Sequence, residues 1–184
     1  MPPRDIGLIA LVILAWGSNF TAMKLALEEV PPFLMVGLRF AILVPLIAVL
    51  KRPALPWSRI LAVGALINMG QFAFLFAALN AEASAGLASL LIQMQAPLTI
   101  ALSFLVFGER IRPLQIAGLA LALAGLGVFA ASSGGNVTGL GLALLLMAAL
   151  SWACGNLVLK RVGRVDTLAL FIWASLVPPL PMLA

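Results

Sequence analysis

The run Ile6-Gly7-Leu8-Ile9-Ala10-Leu11-Val12-Ile13-Leu14-Ala15-Trp16-Gly17-Ser18-Asn19-Phe20-Thr21-Ala22-Met23 carries no charge until Lys24. About 20 apolar residues, at ~1.5 Å each along a helix, cross the hydrocarbon core of a bilayer. Six more such stretches follow. The predicted spans are Ile6–Ala26, Phe33–Leu50, Ile60–Leu79, Ser84–Phe107, Leu114–Ala131, Gly139–Leu159 and Thr167 to Ala184. The first begins after Arg4-Asp5, a start that a signal peptide shares. No small-x-small cleavage site follows, and the apolar run continues to Ala26, so it reads as an uncleaved span.

The connections fix direction. Lys51, Arg52 and Arg59 occupy one, Arg110 and Arg112 the next but one, and Lys160, Arg161 and Arg164 the next but one again. Between them lie Glu28 and Glu29, then Glu82, then the uncharged Ser132-Ser133-Gly134-Gly135-Asn136. Cations in alternate short loops are the positive-inside pattern, and with Arg4 they set the N-terminus on the cytoplasmic side. Composition agrees. The 184 residues are 64% hydrophobic and only 9% charged, against about 25% charged in a soluble domain. Mean hydropathy is +1.18.

The net charge of +5 is explained by this topology, and no basic run with interleaved aromatics points to nucleic acid. The single Cys154 excludes an intrachain disulfide, and the absence of His excludes a His triad, a His metal site and a histidine switch. With no P-loop, GxGxxG or CxxC, no nucleotide or other cofactor is expected. An intramembrane enzyme also lacks a pair of acids within the spans. The chain is expected to meet a small-molecule substrate and the lipid bilayer.

Trp16-Gly17-Ser18-Asn19-Phe20-Thr21-Ala22-Met23-Lys24 is echoed by Trp152-Ala153-Cys154-Gly155-Asn156-Leu157-Val158-Leu159-Lys160. Trp and Lys keep one offset, while the Asn residues are displaced by one position. Spans 1 and 6 run in opposite directions, so the echo has the form of an inverted repeat, a plan common among secondary transporters. The expected organisation is an all-α polytopic protein. Residues 1–133 form a first five-helix repeat, and 134–184 hold the first two helices of a second one. Seven spans then read as a truncated ten-helix, five-plus-five architecture.

Several segments carry a family resemblance: Ala15-Trp16-Gly17-Ser18-Asn19-Phe20, Pro31-Pro32, Gly37-Leu38-Arg39-Phe40, Ala85-Gly86-Leu87-Ala88-Ser89-Leu90, Gly108-Glu109-Arg110 and Ser151-Trp152-Ala153-Cys154-Gly155-Asn156. Together they resemble the EamA-type branch of the drug/metabolite transporter superfamily. Gln71-Phe72-Ala73-Phe74-Leu75-Phe76 and Gln93-Met94-Gln95-Ala96 look more narrowly like exporters of O-acetylserine, cysteine and related amino-acid metabolites. The resemblance implies ten helices in the bacterial inner membrane and export of small metabolites.

Polar groups within a span are costly unless they face protein or a water-filled cavity. Trp16, Asn19, Phe20 and Met23 share one face of span 1 at i, i+3, i+4, i+7. Trp152 and Asn156 share a face of span 6. Arg39 lies near the middle of span 2 with no acid at matching depth. It either reaches end-of-helix acids or carbonyls, or faces a cavity and holds a carboxylate. Asn68 and Gln71 share a face of span 3. Gln93 sits four residues before Pro97, which breaks the helix by removing the N–H that would bond the Gln93 carbonyl. Gln95 points elsewhere. Trp16, Asn19, Phe20, Arg39, Gln71, Gln93, Trp152 and Asn156 are therefore the candidate substrate contacts. Each has a plainer reading as an interhelical contact. Phe72, Phe74 and Phe76 read as lipid or packing contacts. Lys24 and Lys160 read as snorkelling side chains, and Gly108-Glu109-Arg110 as a structural turn. Gly118, Ala122 and Gly125 suit close packing within the repeat or in a homodimer.

The function expected from these features is secondary export of small amino acids or related metabolites by alternating access. The alternatives are a same-fold transporter of another metabolite or drug and, more distantly, a seven-span receptor.

Overall fold

The computed structural model describes residues 3–81, 83–132 and 138–183, with residues 3 and 129–132 described by their backbone alone. Glu82, the Ser133–Asn136 loop and the boundary at 133/134 lie outside the described residues. Everything described is helix, turn or connection, as expected of a polytopic α-helical membrane protein.

Helix α1 spans Pro3–Ala26, with Asp5 in its first turn and Lys24 in its last, each of the sign its end of the helix dipole favours. Helix α2 spans Pro32–Ala41. It does not run on to Leu50 as one α-helix. Pro45 has no N–H to offer the carbonyl four residues back, so the chain turns and continues as a 3-10 segment over Val44–Ala48. Next comes one long rod in three pieces. Helix α3 (Trp57–Val63) passes into a π-helical segment (Gly64–Gly70) and then into α4 (Gln71–Asn80). The periodicity of span 3 gave no warning of the wider turns.

Helix α5 (Ala85–Leu91) is capped by Ser84, whose hydroxyl accepts from the Leu87 N–H at 3.1 Å. A 3-10 turn at Ile92–Met94 joins it to α6 (Gln95–Phe107). The break expected near Gln93 is this turn. Pro97 becomes the third residue of α6, where its missing N–H is not required by the new helix. Gly108, at φ +65°, closes α6, and its N–H donates back to the Phe104 carbonyl at 3.0 Å. Helix α7 (Pro113–Ser132) and α8 (Gly139–Val162) follow, the latter capped by Thr138. Helix α9 (Thr167–Ala174) is capped by Asp166. Prolines 178, 179 and 181 split the seventh span, leaving α10 at Pro179–Met182.

Among the described residues, α1, the α3–α4 rod, the α5–α6 rod and α8 are long and apolar enough to cross a membrane. The segments 32–48, 113–128 and 167–182 are shorter apolar helices at the other three predicted spans. Leu14, Ile42, Val49, Leu105, Leu114 and Leu121 are exposed on the outside of the bundle. An apolar exterior of this extent is suited to lipid.

Helix α8 is the centre of the packing, against α4 on one side and α6 on another. Small side chains permit the close approach: Ala78 on α4 and Ala148, Ala149 and Ala153 on α8 are fully buried. Gly155 lies so tightly against Ile67 that a Cβ there would overlap that side chain. Helix α7 differs. A Cβ at Gly118 or Gly125 would meet nothing within 4 Å, so these glycines make no close packing among the described residues.

The basic connections meet at one end of the bundle. An Arg59 guanidinium N–H donates to the Arg161 carbonyl at 3.3 Å. Arg161 also sits over the Phe107 ring, and Lys160 pairs with Glu109. Lys24, in the last turn of α1, donates to the Ala83 carbonyl at 3.1 Å.

The interface between the π segment and α9 tests this packing. A Cβ at Gly64 would lie 2.5 Å from the Ala174 carbonyl oxygen, a backbone atom that cannot swing away. Overpacking of this kind costs about 1–3 kcal/mol. We expect Gly64→Ala to lower the melting temperature of the detergent-solubilised protein by several degrees and Gly118→Ala to leave it unchanged. Equal melting temperatures for the two variants would contradict the packing.

Candidate functional site

A cavity of about 560 Å³ lies between α1, α2, the α3–α4 rod, the 3-10 turn at Ile92–Met94, α8 and α9. Asn68 from the π segment, Gln71 from the start of α4 and Gln93 from the 3-10 turn all line it. Both amides on the rod are nearly buried, at 3% and 5% exposure. The Asn68 amide donates to the Phe171 carbonyl at 3.3 Å, tying the rod to α9 at the cavity edge.

Trp16, Asn19, Phe20 and Met23 form the α1 wall, as one face of that helix. Trp16 meets Trp152 of α8, with ring centroids 6.2 Å apart and planes tilted by 57°. The two echoed tryptophans thus close one side of the cavity together. The Asn19 amide contacts the Met23 sulfur at 3.8 Å.

Arg39 enters from α2 and is the charged residue among those lining the cavity. Its guanidinium lies 4.5 Å from the centroid of the Phe72 ring. Phe72 is held in turn by Phe40 at 5.5 Å and Phe76 at 5.9 Å. Phe76 is core, and Phe72, packed against that core as its sequence suggests, also belongs to the cavity wall. An arginine at the membrane centre costs about 2.5–3.5 kcal/mol on insertion scales. A desolvated cation–π contact returns about 2 kcal/mol. The stack therefore offsets much of the cost of a cation at this depth, where end-of-helix acids and carbonyls had been the other reading.

Seven of the eight candidate residues line this cavity: Trp16, Asn19, Phe20, Arg39, Gln71, Gln93 and Trp152. Asn156 does not. One turn beyond Trp152, its amide donates to Gln95 Oε1 at 2.8 Å and to Thr99 Oγ1 at 3.1 Å. Pro97 shapes the wall without lining it. Ser89, one turn before Gln93, does line it. Phe72, Phe171 and Ile172 were not foreseen as lining residues. For Phe72 a signal existed: Arg39 has no acid at its depth, and an aromatic ring at the middle of the following span is the alternative partner.

A pocket so lined has one fixed cation, several amides and a broad aromatic and aliphatic wall. It suits a small molecule with an anionic group and an apolar body.

The match to the EamA-like transporter family covers residues 4–131. The chain is 42% identical over 190 residues to the "Probable amino-acid metabolite efflux pump" of Salmonella typhimurium, with 100% of this chain and 64% of that protein covered. It is 43% identical over 188 residues to the protein of the same name in Escherichia coli, covering 98% of this chain and 63% of the relative. It is 32% identical over 164 residues to the "Uncharacterized inner membrane transporter YedA" of Escherichia coli, covering 84% and 52%. The chain thus spans just under two thirds of the length of the two efflux-pump relatives. No solved structure matches the chain at a significant level. A family match across most of the chain, together with a lipid-suited bundle of apolar helices around a polar-edged cavity, shows that this chain belongs to the EamA-like transporter family as a multi-pass membrane protein.

Proposed function

We propose that the protein exports small amino acids or related metabolites, of the cysteine or O-acetylserine kind, across the bacterial inner membrane. Transport proceeds by alternating access around the central cavity. The observation that carries this reading is Arg39. A guanidinium at membrane depth, stacked on Phe72 and facing a cavity, presents a donor fork that a carboxylate fits bidentately. The efflux-pump relatives support the substrate class, and the inner-membrane relative supports the location.

In this reading Arg39 holds the carboxylate. Gln71, Gln93 and Asn19 offer amide groups to the polar part of the substrate, and the Trp16–Trp152 pair covers its apolar side. Residues 1–133 act as the first repeat, and 134–184 begin the second. The meeting of Trp16 with Trp152 across the cavity supports that division, because corresponding positions of an inverted repeat meet near the midplane binding site.

Cells overproducing the protein are expected to tolerate inhibitory cysteine or another amino acid and to secrete more of it. A broad amino-acid panel with neither effect would defeat the proposal. A charged hydrogen bond is worth about 1.5–3 kcal/mol, which is about tenfold or more in affinity. Arg39→Ala should therefore raise the half-saturating substrate concentration about tenfold or more at normal membrane abundance. Arg39→Lys should recover only part of the loss, because the ammonium lacks the fork. Normal transport by Arg39→Ala would remove the carboxylate role. Phe72→Ala, which takes away the support of the guanidinium, should weaken transport with Arg39 intact, and Phe72→Trp should largely preserve it.

A further inference from the structure

A second cavity, of about 160 Å³, lies between α6 and α8 at the end where the basic connections meet. Thr99, Ser103, Glu109, Arg110, Gln115 and Lys160 are among its lining residues. It is separated from the central cavity along a single seam. On α8, Trp152, Asn156 and Lys160 follow at i, i+4, i+8 and share one face, with about 6 Å of rise between successive members. Trp152 lines the central cavity and Lys160 the second one. Asn156 stands between them. Across the seam, Gln93 lines the central cavity, Thr99 lines the second, and Gln95 lies between. The two bonds from the Asn156 amide, to Gln95 and Thr99, therefore close the seam at the boundary between the cavities. One turn of α8 further out, Lys160 pairs with Glu109 of the connection after α6, and Lys160 also sits over the Phe107 ring.

We propose that the α6–α8 seam is the inner gate of the transport path. Asn156, bonded to Gln95 and Thr99, is its bar, and the Glu109–Lys160 ion pair is its outer latch. The inference rests on the export reading above and adds the route between the cytoplasmic end and the central cavity. Its parts have the strengths a gate requires. The latch joins two half-exposed side chains, so solvent screens it and little free energy opposes its opening. The groups of the bar are partly buried and bond to one another, so they close again when the seam has no occupant. Gln95, Thr99 and Ser103 follow at i, i+4, i+8 on α6 and give the seam a polar stripe, which a path for a zwitterion needs. The small residues of α8, by contrast, lie against the α3–α4 rod: Ala148 and Ala149 share a buried cluster with Leu75 and Ala78, and Gly155 meets Ile67.

Cysteine accessibility in membrane vesicles tests this without any substrate, so its outcome is independent of whether amino acids are exported. In a Cys154→Ala background, Ser89→Cys places a reporter thiol in the central cavity, beyond the gate. A membrane-impermeant maleimide is applied from the cytoplasmic face of inside-out vesicles. Glu109→Gln is expected to raise the labelling rate about threefold or more, and Asn156→Ala more strongly. The charge exchange Glu109→Lys with Lys160→Glu is expected to return the rate to that of the parent. Glu109 and Lys160 lie at the protein surface, so their variants report even where Asn156→Ala fails to fold. Unchanged labelling in Glu109→Gln, or a raised rate that the charge exchange does not reverse, would overturn the proposal. Gated labelling together with no export in any assay would keep the gate and remove the export reading.

Discussion

Within a bilayer there is no water to satisfy a backbone carbonyl, and this constraint organises the whole bundle. Not all the spans are regular helices. Proline or a change of helical pitch interrupts four of them, and each interruption alters the carbonyl pairing at membrane depth. Side chains take up many of the groups concerned. The Leu66 carbonyl in the π segment accepts from the Ser151 hydroxyl at 2.7 Å as well as from the Gln71 N–H. Asn68 serves the Phe171 carbonyl, and Thr99 serves that of Gln95 at 2.6 Å. Ser175, fully buried, donates to the Ile172 carbonyl at 2.6 Å where α9 ends. The Trp173 indole N–H donates to the Leu50 carbonyl at 3.0 Å, closing the end of the broken second span. The scarce polar residues of a chain this apolar are thus largely committed to its backbone.

That commitment sharpens the meaning of the polar groups that face the cavity. Asn156, Gln95 and Thr99 satisfy one another. Arg39 is supported by a ring rather than by an acid, which leaves its positive charge uncompensated by any carboxylate among the described lining residues. A guanidinium paired to a fixed acid would be neutral to an incoming anion. A guanidinium held by an aromatic face is not. The structure therefore keeps a charge at membrane depth while sparing its field for the cavity.

The sequence told much of this. The positions of the apolar helices followed from apolar length, because that is set by the solvent and needs no tertiary detail. Trp16, Asn19 and Phe20 could be placed on one face because α1 is regular. Gln93 could be preferred to Gln95 because Pro97 marks where the helix must change, and the two amides indeed part company. What escaped was what depends on neighbours. Phe72 looks like any phenylalanine of a lipid-facing run until Arg39 is brought over it. Asn156 shares a face with Trp152, yet one helical turn is enough to carry it out of the cavity and into a seam. The expected continuity of spans 2 and 7 failed at Pro45 and at the proline group 178–181, where the missing N–H outweighs the hydrophobic pattern.

The π segment has a consequence of phase. Each residue in a wider turn advances the helix by a smaller angle than an α-helical residue does, so the seven residues Gly64–Gly70 set α4 back around its own axis relative to α3. Were the rod of uniform pitch, α3 could keep its contacts only by carrying Gln71 and Phe72 around to another neighbour. The rod is therefore a coupling between two bearings: one end is keyed to α9 through Gly64, and the other presents Phe72 to Arg39. A local exchange between π and α pitch would rotate one end against the other without moving the helix axis. Such a rotation is a way for a membrane helix to turn a side chain into or out of a cavity, coupled to a small axial shift because a π turn also rises less per residue than an α turn.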